Sequence, residues 1–147
     1  MKKIAIAFCV ACMSYAQAQK ISADEVSSII IDNFNKQFPQ AEKSKWEIEE
    51  KNYEVEFQLG KNKYSAKYNA KGEWLETEQE IKSSDLPDAV KKAIEKEFGK
   101  VEIEDVEKVS LPDNVLVYEL EIEQNEKQKH EVQFSLEGTL LKKENKD

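Results

Sequence analysis

The chain has 147 residues, 35% of them charged, and its 30 acidic against 22 basic residues leave a formal charge of −8. Every basic residue is a lysine, so the planar fork that grips phosphate or carboxylate is missing and the acidic surface repels a phosphate backbone. Nucleic acid and anionic membrane are poor partners for such a chain, yet its apolar residues keep regular helical and strand periods, which argues for a folded protein.

Residues 1–18 have a basic start at Lys2 and Lys3, an apolar run from Ile4 to Met13 and the small-residue pattern Ala16-Gln17-Ala18. That is the layout of a cleavable secretory signal peptide, and the run is about half the roughly 20 residues a membrane span needs. Lipid attachment through Cys9 or Cys12 is the rival reading, but Ile6 and Cys9 stand where a leucine is usual three residues upstream. Both cysteines leave with this segment, so residues 19–147, read as a single periplasmic or secreted domain, must fold without disulfides.

The first helix is announced by Ser22 and Glu25 in a capping-box pattern and by an apolar stripe at Val26, Ile29, Ile30, Phe34 and Phe38, with Pro39 behind it. The period then changes from 3.6 to 2. Trp46 and Ile48, then Tyr53, Val55, Phe57 and Leu59, then Tyr64, Ala66 and Tyr68 alternate with polar residues, and Asn69 to Gly72 forms a hairpin turn closed by a left-handed glycine. A second stripe at Val90, Ala93, Ile94 and Phe98 follows Ser84 or Asp85 as cap, with Pro87 in the first turn and Gly99 as stop. Leu116, Tyr118, Leu120 and Ile122, then Val132 and Phe134, repeat the strand beat, and Ser135 to Gly138 repeats the turn. Residues Ser110 to Asn114 look like an inserted longer loop.

The order thus occurs twice, over about 22–81 and 84–144, with a period near 60 residues. The expected class is α+β: two tandem repeats of one helix plus about four antiparallel strands, joined in a continuous antiparallel sheet with both helices on one face. The opposite face would carry Glu54, Glu56, Lys63 and Lys67 from the first copy and Glu119, Glu121, Glu123, Lys129 and Glu131 from the second, which is the more acidic.

The elements Phe38-Pro39-x-Ala41, Trp46, Tyr53-x-Val55-x-Phe57, Ala66-x-Tyr68-x-x-x-Gly72-x-Trp74 and Leu86-Pro87-x-x-Val90-x-x-x-Ile94-x-x-x-Phe98 resemble the PepSY-like proteins exported by Bacteroidetes-type bacteria, also called beta-lactamase-inhibitor-protein-like. The resemblance covers nearly all of residues 19–147 and rests on core and turn positions, so it brings no active site. It implies a binding module that holds or restrains a peptidase or another envelope protein, and no inhibitory residue comes with it.

No enzyme is expected. His130 is the only histidine and shares strand phase with Val132 and Phe134, which points to a structural place. Alternate glutamates on a strand stand about 6.8 Å apart and no calcium loop folds them inward, so cation binding is a second reading. A carboxylate-pair hydrolase is a third and needs a cleft with one raised carboxyl. No cofactor and no metal are expected. Leu75 and Leu141, displaced by the turn bulges, would face outward among charges, as suits a protein contact. The candidate partner surface is therefore Glu54, Glu56, Lys63, Lys67, Leu75, Asp113, Asn114, Glu119, Glu121 and Leu141, facing a protein or peptide of the cell envelope.

Overall fold

The computed structural model describes residues 19–124 and 128–146; the expected signal peptide, with Cys9 and Cys12, lies outside them. Strands β1 (Gln19–Ile21), β2 (Glu42–Glu49), β3 (Asn52–Leu59), β4 (Asn62–Tyr68) and β5 (Trp74–Glu80) precede β6 (Glu102–Leu111), β7 (Val115–Gln124), β8 (Gln128–Ser135) and β9 (Leu140–Lys146). Helix α1 (Ser28–Gln37) lies between β1 and β2, and α2 (Asp88–Phe98) between β5 and β6. All nine strands form one antiparallel sheet in the order of the chain, an α+β architecture.

Both helices start later than the sequence suggests. Glu25 accepts the Ser22 amide at 2.8 Å, but this pair closes a separate 3-10 turn (Ala23–Glu25), and Ser27 is the residue in front of α1. Ser83–Asp85 is likewise a 3-10 turn, so neither Ser84 nor Asp85 caps α2, which follows Pro87 directly. The cause is burial. After each turn one extended residue, Val26 or Leu86, drops into the core before the helix begins, and Pro87 holds Leu86 out of helical conformation. Ile29 is a further correction, because at 49% exposure it is not part of the buried stripe; Ile30 and Phe34 carry it.

Val26, Ile30 and Phe34 pack with Trp46, Val55, Phe57, Ala66 and Tyr68, while Leu86, Val90, Ile94 and Phe98 pack with Val106, Tyr118, Leu120, Ile122, Val132 and Phe134. These two apolar clusters share no residue. What joins them is the ladder between β5 and β6, where Thr77, Glu78, Gln79 and Glu80 pair with Ser110, Val109, Lys108 and Glu107.

The two hairpin turns form as their spacing predicts. Gly72 (φ 82) and Gly138 (φ 84) occupy the left-handed region, and their amides donate to Asn69 and Ser135 at 2.9 and 3.0 Å. The expected loop at 110–114 is shorter than read: Ser110 and Leu111 belong to β6, leaving only Pro112–Asn114 as the turn. Asp113 and Asn114 both take positive φ (61 and 58), which side chains of this short polar type tolerate.

Candidate functional site: the charged face of the sheet

Side chains alternate across a strand, so the pairing register alone decides which residues share a face. One row runs Glu47, Glu54, Lys67, Glu76 across β2 to β5. The next runs Lys45, Glu56, Ser65, Glu78, Val109, Val117, and the third Lys63, Glu80, Glu107, Glu119, Gln133, Lys142. None of these residues belongs to either apolar cluster. They make a charged face whose middle is the β5–β6 seam.

Lysines neutralise the flanks. Lys67 bridges Glu76 at 2.9 Å and Glu49 at 3.4 Å, and Lys63 bridges Glu80 at 3.1 Å. On the other side Lys142 bridges Glu131 and Glu144, both at 3.1 Å, Lys146 meets Glu121 at 2.6 Å, and Lys129 meets Glu104 at 2.7 Å. The C-terminal strands, expected to be the more acidic, thus carry lysine bridges of their own. Glu131 is 3% exposed and Glu76 8%, so these bridges are shielded by neighbouring side chains and lose less to water than a surface pair.

The middle is different. Burial, with Glu107, Glu76 and Glu54 nearby, pushes the Glu78 carboxyl up to about 8, although Lys67 works the other way. Burial and the charges of Glu119, Asp105, Glu54 and Glu80 push Glu107 up to about 7. Glu54 and Glu119 are raised too, chiefly by burial, with Lys67 and the Gln133 hydrogen bond respectively opposing. Burial is the largest single influence on Lys67 and lowers it, but Glu76, Glu54 and Glu78 together outweigh that and leave it raised. Near neutral pH Glu78 and Glu107 thus resist ionising together.

A cleft of about 420 Å³ opens here, lined by Glu56, Ser65, Glu78, Glu80 and Glu107 together with Lys43, Lys45 and Lys63. Ser65 donates to Glu78 at 3.0 Å. Among the described residues no group of three or more His, Cys, Asp or Glu side chains converges as a metal ion requires. His130 lies elsewhere, under α2 beside Phe98, with Nδ1 2.9 Å from the Asn145 amide oxygen.

The expected surface residues are brought together only in part. Glu54 faces Lys67 directly, with Glu56 one step along β3, and Glu119 and Glu121 face Gln133 and Glu131. Lys63 is drawn to Glu80 at the rim. Leu75 falls in the irregularity opposite Lys67 and Tyr68, and Leu141 in the matching one opposite Gln133 and Phe134; both are half-buried and outside the apolar clusters. Three strands lie between them, a distance of roughly 19 Å at strand spacing, so they do not make one patch. Asp113 and Asn114 are exposed in a turn that lies beside β5. Glu76, Glu78 and Glu107 were missed, although the alternation Glu76, Glu78, Glu80 after Leu75 carries the signal in plain sight.

A family model described as "Putative beta-lactamase-inhibitor-like, PepSY-like" matches residues 13–64 and 51–142. A BLIP-like protein of Bacteroides fragilis superposes with a TM-score of 0.73 at 28% identity, over 82% of this chain and 86% of that one. A DUF2874 family protein of Bacteroides uniformis gives 0.76 at 18% identity, over 82% and 89%. A protein of Bacteroides eggerthii described as periplasmic gives 0.75 at 19%, over 82% and 88%. No curated protein matches the chain. Among the described residues no helix is long and apolar enough to cross a membrane.

Proposed function

The chain belongs to the PepSY-like, beta-lactamase-inhibitor-like family, and from that premise we propose that it is a non-catalytic binding module for another protein of the cell envelope, exported by residues 1–18 and acting through its charged sheet face. In this reading residues 19–147 are one domain of two tandem copies, each a helix and four strands, with both helices on the far side of the sheet. The register supports that placement: Ala66, under α1, pairs with Thr77, Thr77 with Ser110, and Ser110 with Leu116, which packs in the cluster under α2. The docking surface is then Glu54, Glu56, Lys63, Lys67, Leu75, Glu119, Glu121 and Leu141, with Asp113 and Asn114 at its margin.

The observation that carries the reading is a broad face to which neither apolar cluster contributes a side chain. A hydrolase is less well supported, since it needs one protonated and one ionised carboxyl, whereas Glu78 and Glu107 are displaced in the same direction. Cation binding has no converging ligand set among the described residues. The test is a photo-crosslinking residue placed at Leu75 or Leu141 in the exporting cell, with Lys92 on α2 as comparison. Discrete adducts are expected from the sheet positions alone; adducts equally strong from Lys92, or from none of the three, sink the reading.

A further inference from the structure

We propose that Gln19 is a modification site: once residues 1–18 are removed, its new α-amine closes onto its own side chain and the protein carries an N-terminal pyroglutamate. The inference rests on the export reading above and adds what becomes of the end that export creates. The small-residue pattern Ala16-Gln17-Ala18 sets the cut after Ala18, so glutamine is the residue that acquires the free amine.

The residue type is decisive. In an N-terminal glutamine the side-chain carbonyl stands where attack by the α-nitrogen closes a five-membered lactam. The bond from the α-nitrogen to Cδ forms, the bond from Cδ to Nε2 breaks, and a proton of the amine leaves with the amide nitrogen as ammonia. No oxidant, reductant or co-substrate enters, and the positive charge of the terminus disappears. Asparagine would have to close a strained four-membered ring, and glutamate would have to expel a far poorer leaving group than ammonia.

The fold leaves room for the step and gives it a use. Gln19 is exposed and opens β1, the strand at one margin of the sheet, where it pairs with Ile48. All the reacting atoms belong to this one residue, so closing the ring leaves the pairing of Lys20 with Glu47 and of Ile21 with Trp46 in place. The strand is three residues long, and its last residue, Ile21, packs against the cluster under α1. An aminopeptidase that took Gln19 and Lys20 would dissolve this edge strand and loosen a residue of the core. Such enzymes grip a free α-amine, and the lactam offers none; opposite Ile48 it also sets a neutral ring in place of an ammonium.

Mass spectrometry of the full chain produced in an exporting cell, and analysed directly after harvest, tests the inference. The comparison is Gln19→Ser, which keeps a small residue after the cut and cannot cyclise. The parent is expected to begin at Gln19 and to weigh about 17 Da less than its open sequence, the mass of one ammonia, while the variant keeps its full mass. A broad-specificity aminopeptidase should trim the parent at least tenfold more slowly than the variant. A parent that begins at Gln19 with an open amine overturns the inference and leaves the export reading standing, whereas a chain that keeps residues 1–18 overturns both. A cut at any other residue overturns the assignment to Gln19, and equal trimming of the two mature chains overturns the protective role.

Discussion

The two halves of the sheet close around different chemistry. Under α1 the contacts are aromatic: Phe34 meets Trp46 and Phe57 edge-on at 5.4 and 5.1 Å, and Phe38 and Tyr64 extend the group. Under α2 the cluster is mostly aliphatic, with Val90, Ile94, Val106, Leu120, Ile122 and Val132 around Phe98 and Phe134. Tyr68 donates its hydroxyl to Gln37 at 2.9 Å, whereas Phe134, before the other turn, has none to satisfy. What the halves hold in common is backbone geometry, the 3-10 turn, the helix, the four strands and the glycine-closed hairpin, so the arrangement tolerates wide exchange of side chains as long as volume is filled.

The sharpest way to break that comparison is to empty each cluster at its helix. Phe34→Ala removes the ring at the centre of the aromatic group and should cost about 4 kcal/mol, and Ile94→Ala about 3 kcal/mol, both read from urea unfolding. The reverse order would mean that the rings add nothing beyond area. The hairpin glycines come next. They share the same φ, but a Cβ on Gly138 would sit 2.5 Å from the Ala89 carbonyl oxygen, a backbone atom, while one on Gly72 would meet only side chains of Asn33 and Ile29 at 3.2 Å. Gly138→Ala should therefore lose about 3 kcal/mol and Gly72→Ala about 1 kcal/mol. Equal losses would show that α2 shifts as freely as a side chain does.

At the seam between the halves the effect is one of pH. Glu78 and Glu107 have folded values above the unfolded one, so the stability present below about pH 4.5 is lost as pH rises through 7 to 8. The decline should amount to on the order of 2 kcal/mol after solvent screening, and Glu78→Gln/Glu107→Gln should flatten it. An unchanged slope in the variant would clear the pair of responsibility. The smallest contrast is between ion pairs: Lys142→Met, which strips a partner from buried Glu131, should cost about 2 kcal/mol, and Lys63→Met at the exposed Glu80 bridge less than about 0.5 kcal/mol.

Much of this architecture was open to reading because it is local. The stripe Val90, Ile94, Phe98 and the beat Val55, Phe57 identify their own elements, and Gly72 and Gly138 mark turns by the conformation they alone adopt cheaply. Where tertiary packing overrides a local signal, the reading went astray. Ser22 and Glu25 satisfy each other in a 3-10 turn because Val26 is worth more in the core than as a helical residue, and Ile29 fits the stripe yet leans on the Gly72 hairpin instead. The charged face was half legible. Glu54 opposite Lys67 follows from hairpin register, but the approach of Glu78 to Glu107 depends on β5 pairing with β6 across an intervening helix, a long-range choice that no periodicity records.

The ladder at the seam also governs what a cut would do. Besides the four pairs between β5 and β6, the Ile81 amide donates to the Val106 carbonyl at 3.0 Å, just ahead of the short segment that leads into α2. Nicking the backbone between Lys82 and Asp85 would leave each fragment with its own cluster and with one naked margin that recognises only the other. Such pieces should reassemble when mixed, and the protein is accordingly a natural candidate for a split reporter, whose signal returns when two fused neighbours bring the margins back within reach.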